Sequence, residues 1–168
     1  MREMRHGDSE ATLTERGGID DAVPPMTLRL PGAGLDDLPA IRDFVGRSSR
    51  QLGADEACVA DLVQAVDESA TNVIRHGYGG SRGPLDIEIG REGDSVRVDV
   101  RDRAPGFDPR GWPEPDLAMP LEARRPGGFG VHLTRLCVDH VDHRFLAPAG
   151  NQLTLFRRAD SSTQEGQT

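Results

Sequence analysis

The stretch Glu68-Ser-Ala-Thr-Asn72-Val-Ile-Arg-His-Gly-Tyr78 sets a carboxylate and a primary amide four residues apart inside a run of helical periodicity. On a wheel of about 100° per residue, Val59, Leu62, Val63, Val66, Ala70, Val73 and Ile74 form one apolar stripe. Asp61, Glu68 and Asn72 lie nearly opposite it. The i, i+4 spacing lets the Glu68 and Asn72 side chains meet and face one ligand. The pattern predicts a helix from near Ala54 to Arg75, ended by Gly77 in a left-handed conformation.

Two further motifs follow in order. Asp102-Arg-Ala-Pro-Gly106 closes an alternating strand. A carboxylate there can initiate a turn, or accept the exocyclic amino proton of adenine and reject guanine, whose carbonyl would face it unpaired. Gly106 lets backbone approach a purine ring closely. Gly127-Gly128-Phe129-Gly130-Val131 then opens a helix whose free N–H groups and dipole favour phosphate. Arg124 and Arg125 stand just upstream, and either can reach a terminal phosphate as a planar fork. With a triphosphate over the first motif, Mg²⁺ takes most of its oxygens from phosphate and water and needs one neutral protein oxygen, which Asn72 supplies. Glu68 is then placed to take a proton as general base. The three motifs together read as a site for ATP and Mg²⁺.

Working outward, Met26 to Leu30 alternates like a short strand and leads into a helix with Leu35, Leu38, Ile41, Phe44 and Val45 on one face. Leu85 to Gly90 and Ser95 to Arg101 alternate around Arg91-Glu-Gly-Asp94 and predict an antiparallel hairpin. From Asp108 to Pro126 there are prolines at 109, 113, 115, 120 and 126 and no sustained period. That segment predicts a long loop of the kind that serves as a lid; its Trp112 is a lid hydrophobe or a partner contact. A helix over Gly128 to Asp139 and two strands near 141–147 and 151–157 complete the order. The expected architecture is an α/β two-layer sandwich, a mainly antiparallel sheet covered on one face by helices. Residues 1–25 are expected to form a disordered leader, 26–158 the working domain and 159–168 a disordered tail.

Composition removes several alternatives. The 168 residues carry a net charge of −8, which argues against a nucleic-acid surface. All 20 basic side chains are arginine. A P-loop, a eukaryotic-type protein kinase and a Schiff-base enzyme each need a lysine, so none can be built. Cys58 and Cys137 sit in apolar helical patterns and read as small buried thiols rather than a disulfide framework. No apolar run approaches a membrane span, and a cytoplasmic protein without membrane contact is expected. His76, four residues after Asn72, suits a helix end and can edge the site. His132, His140 and His143 cluster in sequence near Asp139 and Asp142, but a helix-to-strand placement scatters them and disfavours a metal centre.

These motifs resemble those of the GHKL ATPase superfamily and, within it, the bacterial anti-sigma-factor serine-protein kinases. Glu68–Tyr78 resembles the family's N box, Asp102–Phe107 its first glycine box, and Arg125-Pro-Gly-Gly-Phe-Gly-Val131 its second. The resemblance covers about 26–158. It implies a Bergerat fold in which Asn72 ligates Mg²⁺, Glu68 is the base, Asp102 binds adenine and Arg125 to Gly130 close on the phosphates. Thr154 resembles a strand threonine that assists Asp102. The first glycine box departs from Asp-x-Gly-x-Gly, with Ala104 and Pro105 in the middle, which stiffens the turn. Pro126 directly follows Arg125 in the second. The implied activity is transfer of the γ-phosphate of ATP to a serine of a small anti-sigma-factor antagonist, with a sigma factor held in the other state by a homodimer. A non-catalytic, ATP-gated regulatory binding protein is the alternative. A sensor histidine kinase would need an upstream phospho-acceptor helix that the polar leader does not provide.

Overall fold

The computed structural model of the chain describes residues 23–106 and 128–160, and for residues 128 and 129 the backbone only. The order is β1 (Met26–Ala33), a 3-10 turn (Leu35–Asp37), α1 (Leu38–Gln51), α2 (Glu56–Asn72), a π-helical turn (Val73–Gly77), β2 (Gly83–Glu92), β3 (Ser95–Asp102), α3 (Gly128–Cys137), β4 (His140–Phe145) and β5 (Asn151–Arg158). The strands form one sheet in the order β1-β2-β3-β5-β4, antiparallel at every pairing. This is the α/β architecture expected of the alternation pattern.

Strand parity divides the sheet into two unlike faces. Leu85, Ile87, Ile89, Val96, Val98, Val100 and Leu155 turn one way and meet Ile41 and Val45 of α1 and Leu62, Val66 and Ala70 of α2 in a single core. Cys58 lies in that core, where burial pushes its thiol up to about 11. The opposite face carries Glu88, Asp99, Arg101, Gln152 and Thr154. Asp99 is only 3% exposed. It accepts from Thr154 Oγ1 at 2.6 Å, Arg101 Nη2 at 3.0 Å and Arg97 Nη2 at 3.1 Å. Gln152 Oε1 joins this layer by accepting from Arg101 Nε and Arg144 Nη2.

The helices start and stop for local reasons. Pro39 occupies the first turn of α1, where a missing N–H costs nothing. Leu35 falls in the 3-10 turn rather than on the face of α1 and stays exposed. Asp55 caps α2 by accepting from the Cys58 N–H at 2.7 Å. At its other end α2 stops at Asn72 and widens, with the Tyr78 N–H donating to Val73 O at 2.8 Å. A π turn of this sort admits a residue beyond the α-helical count and is common beside functional sites. Gly77 is therefore not the left-handed cap expected from the sequence; the positive φ angles belong to Gly79 and Gly80. Glycine at 77 serves space instead, because a Cβ there would stand 2.7 Å from Ala104 Cβ.

Tyr78 ties this end of α2 to the hairpin. Its ring covers Gly83, its hydroxyl donates to Pro84 O at 2.6 Å, and it accepts from the Arg103 N–H at 2.8 Å. At the far end of the domain Ala159, expected in the tail, is 2% exposed. It donates to Asp94 O and accepts from the Asp55 N–H. Among the described residues no helix is long and apolar enough to cross a membrane.

Candidate functional site

The hairpin places Asp102 at the end of β3 on the core-facing side, 6% exposed, opposite Asn151 at the start of β5. A pocket of about 240 Å³ opens here, its wall formed by Asn72, Val73, His76 and Gly77 on one side and Val100, Asp102, Ala104, Val131, His143, Asn151 and Leu153 on the others. That is below the roughly 300 Å³ at which sites for drug-sized ligands begin. The lining is apolar apart from a few polar groups, which is the composition of a small-molecule site.

Asp102 is the polar anchor. Its Oδ1 accepts from the Ala104 N–H at 2.8 Å and Asn151 Nδ2 at 2.9 Å. Oδ2 takes no hydrogen bond from the described residues. Burial pushes the carboxyl above the usual carboxylate range, while the bonds from Asn151 and Ala104 and the nearby His143 pull it back.

Glu68 and Asn72 share a face of α2, as their spacing requires. Glu68 Oε1 accepts from Gln64 Nε2 at 3.0 Å. Burial pushes the Glu68 carboxyl up, with repulsion from Asp67 adding to it and Gln64 and Arg75 opposing. The Asn72 amide makes no hydrogen bond to the described residues. Against this pair comes the N-terminal turn of α3: a Cβ on Gly130 would stand 2.6 Å from Glu68 Oε2 and 3.3 Å from Asn72 Nδ2. Only glycine allows that approach without displacing the carboxylate. Thr134 Oγ1, one turn on, donates to Gly130 O at 3.0 Å and reaches Ala65 O at 3.5 Å, fixing α3 along α2.

The sequence-derived residues fall into three groups. Asn72, Asp102 and Val131 line the pocket, and Glu68 and Gly130 abut it through Asn72. Gly128 opens α3. Arg125, Gly127 and the side chain of Phe129 lie outside the described residues.

Thr154 and Gly106 lie apart from the pocket lining. Thr154 pairs with Asp99, three residues before Asp102, so it points to the other face of the sheet and bonds Asp99. The neighbour of Asp102 is Asn151. Gly106 does not line the pocket; the Phe145 ring packs on it, and a Cβ at 106 would stand 2.7 Å from that ring. Asn151 and His143 were missed, although parity marks them: Asn151 alternates with Leu153 and Leu155, and His143 with Val141. His76 does line the pocket. Among the described residues no three His, Cys, Asp or Glu side chains gather as a metal cage, so a cation here would draw most of its oxygens from a ligand and water.

A search of curated proteins finds no match. Family comparison, by contrast, matches residues 32–157 to the histidine kinase-like ATPase domain. That span runs from the end of β1 to the end of β5 and contains all three sequence motifs. The chain belongs to the histidine kinase-like ATPase family.

Proposed function

We propose that the protein binds ATP with Mg²⁺ and transfers the γ-phosphate to a serine of a small anti-sigma-factor antagonist, and that in its other state it holds a sigma factor, working as a homodimer. The observation that carries the nucleotide part is the seating of Gly130 against Glu68 and Asn72, on the wall of the pocket that ends at Asp102. Motifs far apart in sequence thereby present an acceptor, an amide and a glycine-opened helix to one ligand.

The groups fit ATP chemically. Asp102 Oδ2, without a donor among the described residues, accepts a hydrogen bond from the amino group of a base. The Asn72 amide, which makes no hydrogen bond to the described residues, would offer a carbonyl oxygen to a hard cation. The approach of Gly130 leaves no Cβ between the first turn of α3 and the acid–amide pair. Mg²⁺, which the Asn72 oxygen would hold, would offset charge on the phosphates. Glu68 takes the proton of the attacking serine hydroxyl, and its raised proton affinity makes it a better base than an ordinary glutamate. Gln64 holds one Glu68 oxygen and so aims the other.

The test is labelled ATP with a serine-bearing antagonist. The Glu68→Gln variant is expected to slow phosphoserine formation by about 100-fold or more while leaving ATP affinity nearly unchanged. In the parent protein the rate rises with pH through a midpoint above the ordinary glutamate value, because the base works ionised. ATP binding without any phosphoserine would instead support the ATP-gated binding protein.

A further inference from the structure

We infer that His143 and Asn151 are positioning residues that set base selectivity, by dedicating one oxygen of Asp102 to the protein and leaving the other to read position 6 of a purine. The inference rests on the nucleotide reading above and adds residues outside the three motifs.

The chemistry of each atom fixes its neighbour. An ionised Asp102 can only accept, so the Asn151 group facing Oδ1 at 2.9 Å is the NH₂. The Asn151 carbonyl oxygen is thereby turned to His143 Nε2, at 3.3 Å. That contact is a hydrogen bond when Nε2 carries the proton. His143 is 6% exposed, and the Phe145 ring meets it edge-on with centroids 4.8 Å apart. The imidazole is thus held between a β4 neighbour and the amide, and the amide cannot turn over without setting its oxygen against the carboxylate.

The Ala104 N–H adds a second donor to the same oxygen. Oδ1 is saturated by two donors, while Oδ2 has no donor among the described residues and belongs to a side chain that lines the pocket. A 6-amino purine satisfies it; a 6-oxo purine sets oxygen against oxygen in a slot walled by Val100, Val131 and Leu153. The same two donors determine what an amide at position 102 would do. In Asp102→Asn they hold the carbonyl oxygen at the Oδ1 position and send the NH₂ into the pocket. The substitution therefore reverses which purine is accepted, rather than only weakening the site.

The experiment is calorimetric titration of the full chain with ATP and with ITP, which differ at position 6. The readout is the ratio of the two dissociation constants. A fold-maintaining role alone weakens both nucleotides together and leaves that ratio unmoved. The parent chain is expected to favour ATP by about 100-fold or more. His143→Phe and Asn151→Leu should each reduce the ratio by about 10-fold, one hydrogen bond's worth. His143→Gln, which retains an N–H at similar reach, should restore it to within about 3-fold of the parent, and Asp102→Asn should favour ITP. An unchanged ratio in both His143→Phe and Asn151→Leu overturns the inference, and if one of them fails to fold the other decides. A parent chain that binds ATP and ITP equally overturns it while leaving the nucleotide reading intact. A parent chain that binds neither removes both.

Discussion

Asp99 and Asp102 stand three residues apart on β3, both nearly removed from solvent, and they are treated in opposite ways. Asp99 faces the sheet side away from the helices and is surrounded by donors: two guanidinium groups and the Thr154 hydroxyl. Asp102 faces the helices and, among the described residues, receives only neutral donors, both on one oxygen. A buried carboxylate whose needs are met by its own fold is a structural part. One left short of a donor, beside a pocket, is held ready for something from outside. The contrast separates stability from binding within a single strand, and four measurements can break or sharpen it.

The largest effect is expected at the needy carboxylate. Asp102→Ala should weaken ATP by about 100-fold, equivalent to roughly 2.7 kcal/mol, as removal of a charged hydrogen-bond acceptor does. A thermal-shift titration with ATP reads this directly, and an undiminished ATP shift would break the contrast. Asp99→Ala should act the other way round. It should lower unfolding stability in urea by about 2 kcal/mol, since Arg97 and Arg101 are partly exposed and recover some hydration. The affinity of its folded fraction for ATP should match the parent.

Thr154→Val should cost about 1 kcal/mol of stability, the net value of one hydrogen bond, and leave ATP affinity unchanged. A loss of ATP affinity there would restore the role that the sequence resemblance gave it. The gentlest effect concerns pH. The folded Asp102 carboxyl holds its proton to higher pH than the unfolded one. The ligand-free protein therefore loses stability relative to Asp102→Asn as pH rises from the ordinary aspartate value through the raised one, with no further loss above it. Paired urea titrations across the acid range would show this, and a flat difference would contradict it.

Much of this was legible in the sequence because it depends on short-range periodicity. The β2–β3 hairpin follows from alternation on both sides of Arg91-Glu-Gly-Asp94, and the Glu68–Asn72 pair from helix spacing. What was not legible depends on register. Choosing Asn151 as the partner of Asp102 required knowing how β5 aligns with β3, and that alignment is set by the whole sheet, not by either strand. Parity alone excludes Thr154, since it shares a face with Gln152, not with the core leucines. It does not say that Asn151 meets Asp102. The π turn was hidden for a different reason: a run that is helical on both sides of Asn72 gives no local sign of the residue at which its hydrogen bonds lengthen.

Tyr78 has a mechanical consequence for the pocket. Beyond the Leu85–Asp102 pair, the next rung of the hairpin would join Pro84 and Arg103, and the phenol hydroxyl is inserted there, taking the N–H from one strand and the carbonyl from the other. The last stitch of the seam beside Asp102 is thus sewn with thread from the helix layer. Any motion that unzips this end of the hairpin must also pull on the π turn that follows Asn72, so the Asp102 wall and the Asn72 wall of the pocket loosen or tighten together.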